Sequence, residues 1–385
     1  MVDSTQTADG APDSLAEPVR VMVVDDSAVI RGLITRLLER DKRISVIVSA
    51  GDGQRAIDQL GRNDVEIIVL DVEMPRMDGL SAIPRLLEVA PNVRIIMAST
   101  LTQRNAEISL QAMQAGAVDY VPKPTSTREV SGGEEFRRDL TEKVITHAKA
   151  LRRQHLPQRE GDLRRCRPQA APRAPAGPQS LRPVPRLRPA AIAIGSSTGG
   201  PQALFKVIGA LKGIGQPIFV TQHMPPTFTR ILSEHIERSC GLPCAEAEDG
   251  QPVTGGCVYL APGDRHMIVE GAKAAPRIRL DDGPQENFCR PAVDPMLRSL
   301  IAVYGGSGIL AAILTGMGQD GLKGCQALVD AGGAVFVQDE ATSVVWGMPG
   351  AVHKAGLSSA IEPLERIGPR LRETAGYGPA AKPAA

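Results

Sequence analysis

From Val19 onward, short apolar runs alternate with stretches whose apolar residues recur every three or four positions. Five runs, VRVMVV (19–24), ISVIVSA (44–50), VEIIVL (65–70), VRIIMAS (93–99) and VDYV (118–121), lack the strict alternation of a half-exposed strand. They predict strands buried on both faces. Between the first two, SAVIRGLITRLLERD sets Val29, Ile30, Leu33, Ile34, Leu37 and Leu38 along one helical face. Strands separated by helices need crossover connections, so this half predicts a doubly wound, flavodoxin-like α/β sheet. A last amphipathic stretch, EEFRRDLTEKVITHAKALRR, closes it.

The rhythm then stops. Residues 156–189 hold eight prolines and eight arginines and almost no periodic apolar residues. Proline removes backbone donors and stiffens the chain, so this segment predicts a solvated linker. After Ala190 the pattern resumes with AIAIGSS, PIFVTQH, CVYLAPG, HMIVEG, GILAAILTG and AVFVQD as strands, and TFTRILSEHIERS and DPMLRSLIAVYG as helices. The stretch APGDRHMIVEGAKAAPRIRL holds two strand candidates, turn residues and no helix, which predicts an antiparallel hairpin beside a mostly parallel α/β sheet. The expected division is a disordered start (1–18), a first domain (19–140), a helix end and linker (141–188), a second domain (189–376) and a disordered tail (377–385).

Composition narrows the function classes. Forty-four Lys and Arg against 43 Asp and Glu leave a formal charge of +1, which favours neither a nucleic-acid platform nor adhesion to a membrane. The second half shows no compact helix-turn-helix with a basic recognition helix. No apolar run approaches the roughly 18 residues of a membrane span, and the first residues lack a basic-then-apolar signal pattern. The six cysteines have no paired metal-ligand spacing, so free thiols in a reducing cytoplasm are expected.

In the first half, Asp25 and Asp26 end the first strand and Asp71 ends the third. Ligands bind at that edge of an open parallel sheet, and three carboxylates there repel one another unless a hard cation such as Mg²⁺ joins them. Ser99 ends the fourth strand and Lys123 follows the fifth, a hydroxyl and an ammonium suited to the oxygens of a phosphoryl group. Taken singly, the aspartates also suit helix caps. The motifs VMVVDDS, LDVEMPRMDGL and VPKP together resemble the receiver domains of two-component response regulators, over about residues 19–140. The resemblance implies that Asp71 accepts a phosphoryl group from a histidine kinase. It implies Mg²⁺ on Asp26, Asp71 and the backbone carbonyl of Glu73, with Asp25 shaping the acidic pocket. Ser99 (or Thr100, one residue on) would be the switch hydroxyl and Lys123 the partner of the phosphate.

In the second half, GSSTGGP (195–201) lacks the spacing of a dinucleotide or Walker loop but satisfies G-x-S-x-G with Ser197 at its centre. A serine hydroxyl needs a base, and His223 in VTQHMPP would share its sheet edge. AILTGMGQDGLKG (312–324) supplies Asp320, able to orient that histidine, and glycines around Met317 whose backbone can meet an oxyanion. Taken alone, His223 also suits a structural strand end and Asp320 a helix cap. The chain order Ser, His, Asp differs from that of α/β-hydrolases.

IGSSTGGP, TQHMPPTFT, YLAPGDRHM, RPAVD, LTGMGQDG and GMPGAV resemble the catalytic domain of the CheB family, over about residues 189–375. The resemblance implies a cytoplasmic, phosphorylation-activated chemotaxis hydrolase. Ser197, His223 and Asp320 would be its triad and the Met317 backbone amide an oxyanion donor, with no cofactor for the ester reaction. Its partners would be methylated chemoreceptors, whose glutamyl methyl esters it hydrolyses and whose glutamines it can deamidate, and a chemotaxis histidine kinase. The competing expectation is a phospho-regulated binding or adaptor module without hydrolase activity. Two positions depart from the family pattern: Ser196 adds a second hydroxyl, and Cys289 stands where a histidine is common.

Overall fold

The computed structural model describes residues 17–100, 102–123, 134–155, 181–184 and 189–378. Most of the expected linker and tails lie outside the described residues. The first five strands, β1 (Val19–Val24), β2 (Ile44–Ala50), β3 (Ile67–Asp71), β4 (Arg94–Thr100) and β5 (Asp119–Lys123), form one sheet in the order β2-β1-β3-β4-β5. Five helices join or follow them: α1 (Ala28–Leu38), α2 (Gly53–Leu60), α3 (Gly79–Val89), α4 (Gln103–Ala115) and α5 (Glu134–His155). Every residue of β3 is buried, as an unbroken apolar run between two helical layers requires. The order reverses beside β1, whose Val24 pairs with Leu70 of β3. One residue on, Asp25 and Asp71 therefore face the same crevice, where this topology places ligands.

Helix α5 runs unbroken past residue 140 to His155, and Val144, Ile145, Ala148 and Leu151 of its second half remain buried. Arg152 anchors it. Its Nε and Nη2 donate to Glu66 Oε1 and Oε2 at 2.6 and 2.7 Å, and Oε2 also accepts the Arg20 N–H at 3.0 Å. Burial alone would raise the Glu66 pKa, but the Arg152 bonds and the Arg20 N–H outweigh it and hold the carboxyl below its ordinary 4.5.

The second half contains β6 (Ala191–Ser196), β7 (Ile218–Gln222), β8 (Cys244–Glu246), β9 (Val258–Leu260), β12 (Ile309–Ile313), β13 (Ala334–Gln338) and β14 (Ala360–Glu362). All pair in parallel in the order β14-β13-β12-β6-β7-β9-β8. The two edge strands β8 and β14 have three residues each, too few to carry a period in the sequence. The expected hairpin is present as β10 (His266–Ala272) and β11 (Ala275–Asp281), an antiparallel sheet of its own. Helices α6 (Gly200–Gly209), α7 (Phe228–Cys240), α8 (Val293–Tyr304), α9 (Leu322–Asp330), α10 (Met348–Lys354) and α11 (Leu364–Thr374) cover the large sheet. Helix α8 buries Met296, Leu297 and Leu300 in a core with Phe219, Val335 and Met267.

Arg152→Ala leaves the Glu66 carboxylate with only the Arg20 backbone donor and nearby Arg20 charge. We expect it to cost about 2 kcal/mol in urea unfolding at pH 7, discounted from a fully buried pair because the guanidinium is partly exposed. Since the Glu66 pKa is lowered on folding, the difference between the two proteins is full above pH 4.5 and shrinks as pH falls through the folded value. A difference that does not depend on pH would sink this account.

Candidate active site

At the end of β6 the chain turns sharply through Ser197, Thr198 and Gly199 into α6, which has Pro201 in its first turn. Gly199 takes φ 76°, and a Cβ there would lie 2.6 Å from Val344. Both conditions require glycine. The Ser197 N–H donates to Thr315 O at 3.0 Å, and its carbonyl accepts from Gly200 N and Gln222 Nε2 at 2.7 and 2.9 Å. The backbone is thus fixed from three sides, while the half-buried Ser197 hydroxyl makes no hydrogen bond to a described residue.

His223 stands on the adjacent strand end. Ser196 pairs with Gln222 across β6 and β7, and the His223 N–H donates to Ser196 O at 3.2 Å, so Ser197 and His223 leave the sheet side by side. The His223 Nε2 lies 2.8 Å from Asp320 Oδ2, and Nδ1 lies 3.4 Å from the Cys289 sulfur. Burial alone would lower the His223 pKa. The Asp320 hydrogen bond, then that to Cys289, together with their charges, outweigh it and push the value up to about 10.

Asp320 is 1% exposed and fully engaged. Its Oδ2 accepts the Val293 N–H at 2.6 Å as well as bonding His223. Its Oδ1 accepts Asn287 Nδ2 and Gly321 N–H, both at 2.9 Å, and Asp294 N–H at 3.4 Å. Val293 and Asp294 open α8, so Asp320 caps that helix and sits on the positive end of its dipole. It does not cap α9, the helix that follows it, whose N-cap is Gly321. Burial would raise the Asp320 pKa; His223 and the surrounding donors overcome this and lower it. The neighbouring buried Asp294 shifts the opposite way, raised by burial and by the Asp320 charge.

Two neutral amides hold this arrangement, and neither was evident in the sequence. Asn287 Nδ2 donates to both Asp294 and Asp320, at 3.0 and 2.9 Å. It belongs to a two-residue turn closed by Glu286 N–H to Cys289 O and Cys289 N–H to Glu286 O. Asn287 and Phe288 there adopt φ 52° and 63°, a pair of left-handed residues in which asparagine is at home and phenylalanine is not. The turn sends Asn287 inward, leaves Phe288 85% exposed and returns Cys289 to the imidazole. The second amide is Gln222, whose Nε2 holds the carbonyls of Ser197 and His223 while its Oε1 accepts the Ser196 hydroxyl at 2.7 Å. Ser196 is therefore buried and occupied. An amide in a strand end or loop has no spacing signature, so only the fold discloses these roles.

The loop bearing Met317 approaches Ser197 closely. A Cβ on Gly316 would come within 2.8 Å of Ser197 Cβ and 2.4 Å of Met348 Sδ, so only glycine lets the loop lie there.

In the first half, the carboxylates of Asp25, Asp26 and Asp71 all lie within 4.8 Å of one another, with Asp25 and Asp71 buried and Asp26 exposed. An all-oxygen cluster with this convergence fits Mg²⁺. Ser99 follows Ala98, the register partner of Asp71. Its hydroxyl is 2.9 Å from Ser109 Oγ, which spends its own proton on Asn105 O at 2.7 Å, so Ser99 donates to Ser109 on α4. Thr100 Oγ1 accepts from Asn105 Nδ2 at 2.7 Å. Lys123 is the last residue of β5.

A flavodoxin-like sheet with an acidic cluster at its switch point, followed by an α/β domain with serine, histidine and aspartate at one rim, defines a response regulator with a hydrolase as its output domain. The family model of the response regulator receiver domain matches residues 21–131, and that of CheB methylesterase matches residues 192–371. A protein-glutamate methylesterase/protein-glutamine glutaminase of group 2 operon from Rhodospirillum centenum is 55% identical over 96% of this chain and 97% of its own length. A protein-glutamate methylesterase/protein-glutamine glutaminase from Azospirillum brasilense is 58% identical over 93% of each chain. The solved catalytic domain of Thermotoga maritima CheB methylesterase is 40% identical, with a TM-score of 0.46, over 48% of this chain and 97% of that one. The chain belongs to the protein-glutamate methylesterase/protein-glutamine glutaminase (CheB) family.

The His223–Asp320 pair carries its own pH signature. We expect NMR of the His223 imidazole to show titration far above the ordinary 6.5, and Asp320→Asn to bring it back toward that value. Because the folded pKa is the higher one, the stability that His223 contributes is complete below pH 6.5 and is lost as pH climbs through about 10. An unshifted imidazole in the wild-type protein would contradict the hydrogen-bonding scheme.

Proposed function

We propose that this chain is a cytoplasmic serine hydrolase that cleaves γ-glutamyl methyl esters on chemoreceptors, releasing methanol, and deamidates receptor glutamines, with its rate raised by phosphorylation of Asp71. The observation that carries the reading is the imidazole of His223, held through Nε2 by buried Asp320 on the strand end beside Ser197. Relatives that match nearly the whole chain bear the name of this activity.

In this mechanism Ser197 Oγ attacks the ester carbonyl while Nδ1 of the neutral form of His223, the nitrogen not held by Asp320, takes its proton, so the rate rises with pH toward the raised His223 pKa. Asp320 stabilises the imidazolium and fixes the ring. Negative charge gathers on the carbonyl oxygen, and the backbone N–H of Met317 meets it. Support for that role comes from Gly316, which brings the loop against Ser197. Each donor of this kind is worth roughly 3 kcal/mol of transition-state stabilisation. The imidazolium returns its proton to the departing methoxide, or to the amide nitrogen of a glutamine, which leaves as ammonia. Water, deprotonated by the same nitrogen, then releases the glutamate.

In the receiver, Asp26, Asp71 and the Glu73 carbonyl would hold Mg²⁺, with Asp25 completing the acidic pocket. The cation supplies charge neutralisation as a phosphoryl group arrives from a histidine kinase. Lys123 pairs with the new phosphate, and Ser99 exchanges its bond to Ser109 for one to a phosphate oxygen.

Methanol release from methylated receptor membranes, with and without a small-molecule phosphodonor, tests both halves. Ser197→Ala should reduce the rate by at least about 1,000-fold without unfolding the chain. Asp71→Asn should keep the basal rate and lose stimulation by the phosphodonor. Normal methanol release from Ser197→Ala would overturn the nucleophile assignment.

A further inference from the structure

The imidazole that serves Ser197 has a second nucleophile beside it. Nε2 is committed to Asp320, which leaves Nδ1 alone to accept a proton, and Cys289 Sγ lies 3.4 Å from it. The Ser197 hydroxyl is hydrogen-bonded to no described residue. In this state the base faces sulfur. We propose that Cys289 is a histidine-activated thiol that reacts with hydroperoxides and soft carbon electrophiles, and that its modification switches off hydrolysis at Ser197.

Cys289, His223 and Asp320 form a continuous thiol–imidazole–carboxylate chain, the arrangement that activates nucleophilic cysteines. The thiol is half-buried, hence reachable, and the turn with Glu286 fixes its backbone. Arg298 pairs with Glu286, and Arg290 pairs with Asp264 at 2.7 Å, so the flanking guanidinium charges are held in place as well. The remaining described cysteines differ. Cys240, Cys244 and Cys325 are buried, and burial pushes their thiols up, that of Cys240 to about 11. Cys257 is half-buried like Cys289, but its sulfur lies 3.3 Å from the Thr254 hydroxyl and has no imidazole.

The chemistry balances with a hydroperoxide as oxidant. Sulfur attacks the terminal peroxide oxygen, and the thiol proton passes to Nδ1 of the neutral imidazole. An S–O bond forms, the O–O bond breaks, and the departing hydroxide (or alkoxide) takes a proton from the imidazolium to leave as water or an alcohol. Sulfur is oxidised to the sulfenic acid, the peroxide is reduced, and a dithiol reductant restores the thiol. The added oxygen lies against Nδ1, the atom that must receive the Ser197 proton. Alkylation fills the same space.

The reactivity of Cys289 follows from geometry alone, whereas its effect on hydrolysis rests on the proposed function, so the experiment reads the two separately. The full chain is treated with limiting iodoacetamide at pH 7.5 and labelling is followed for each cysteine by peptide mass spectrometry. We expect Cys289 to react at least about 10-fold faster than Cys257. In His223→Gln its rate falls to within about twofold of Cys257, with buried Cys325 remaining unlabelled as the mark of an intact fold. In parallel, wild-type protein receives hydrogen peroxide and then dimedone, which should trap a sulfenic acid at Cys289. Equal labelling of Cys289 and Cys257, or a dimedone adduct at Cys257 and none at Cys289, overturns the proposal without reference to any variant.

Methanol release is then measured before and after peroxide. Wild-type activity should be lost and should return with dithiothreitol, while Cys289→Ala, compared with its own untreated rate, is unaffected. A fully oxidised Cys289 with an undiminished rate removes the switch. If untreated protein releases no methanol at all, the proposed function fails and the thiol assignment is judged by labelling.

Discussion

A charged carboxylate inside a protein must be met by donors from every direction. Asp320 is almost completely buried, and its donors come from four separate pieces of chain: the His223 strand end, the Asn287 turn, the first N–H groups of α8 and the peptide of Gly321. Removing any of them leaves an under-solvated charge, at a cost of a few kcal/mol. That requirement ties β7, β12, α8 and the loop before α8 into one rigid corner. The imidazole acquires its orientation and its raised affinity for a proton from the same corner. Asp294 shares the Asn287 amide with Asp320, and the two buried carboxyls shift in opposite directions, Asp294 raised and Asp320 lowered.

Both halves of the molecule place their chemistry at the carboxyl ends of parallel strands, for a shared reason. There the strands diverge and loops must turn back into helices, so polar groups can stand at the rim of a sheet whose interior is closed. In the receiver the rim gathers three carboxylates within 4.8 Å of one another, a donor set that fits a hard divalent cation. In the hydrolase domain it gathers a hydroxyl, an imidazole and a carboxylate. Close approach of backbones completes the second site: Gly199 and Gly316 occupy places where a methyl group would strike Val344 or Ser197.

The thiol of Cys289 gives the site a competition that the serine chemistry does not need. With Nε2 occupied, Ser197 and Cys289 address one nitrogen. Sulfur is larger and more polarisable than oxygen, and it meets different electrophiles. On the proposed reading, the site hydrolyses through oxygen and senses oxidants through sulfur, using one imidazole for both.

The periodicity of the chain determined a great deal. Long apolar runs separated by amphipathic stretches have few ways to bury themselves, and this placed the two parallel sheets, the hairpin at 266–281 and the strand ends carrying Asp71, Ser197 and His223. Short edge strands such as β8 and β14 escaped because three residues hold no period. What the tertiary structure alone decided is which polar atom meets which. Ser196 and Ser197 are indistinguishable as letters, yet Gln222 occupies one hydroxyl and leaves the other exposed to the site. Asn287 and Cys289 carried no role until a two-residue turn aimed one at Asp320 and the other at His223. Hydrophobic patterning acts along the chain and is written in it, whereas hydrogen bonds among residues 66 to 97 positions apart depend on directions that only the folded packing sets.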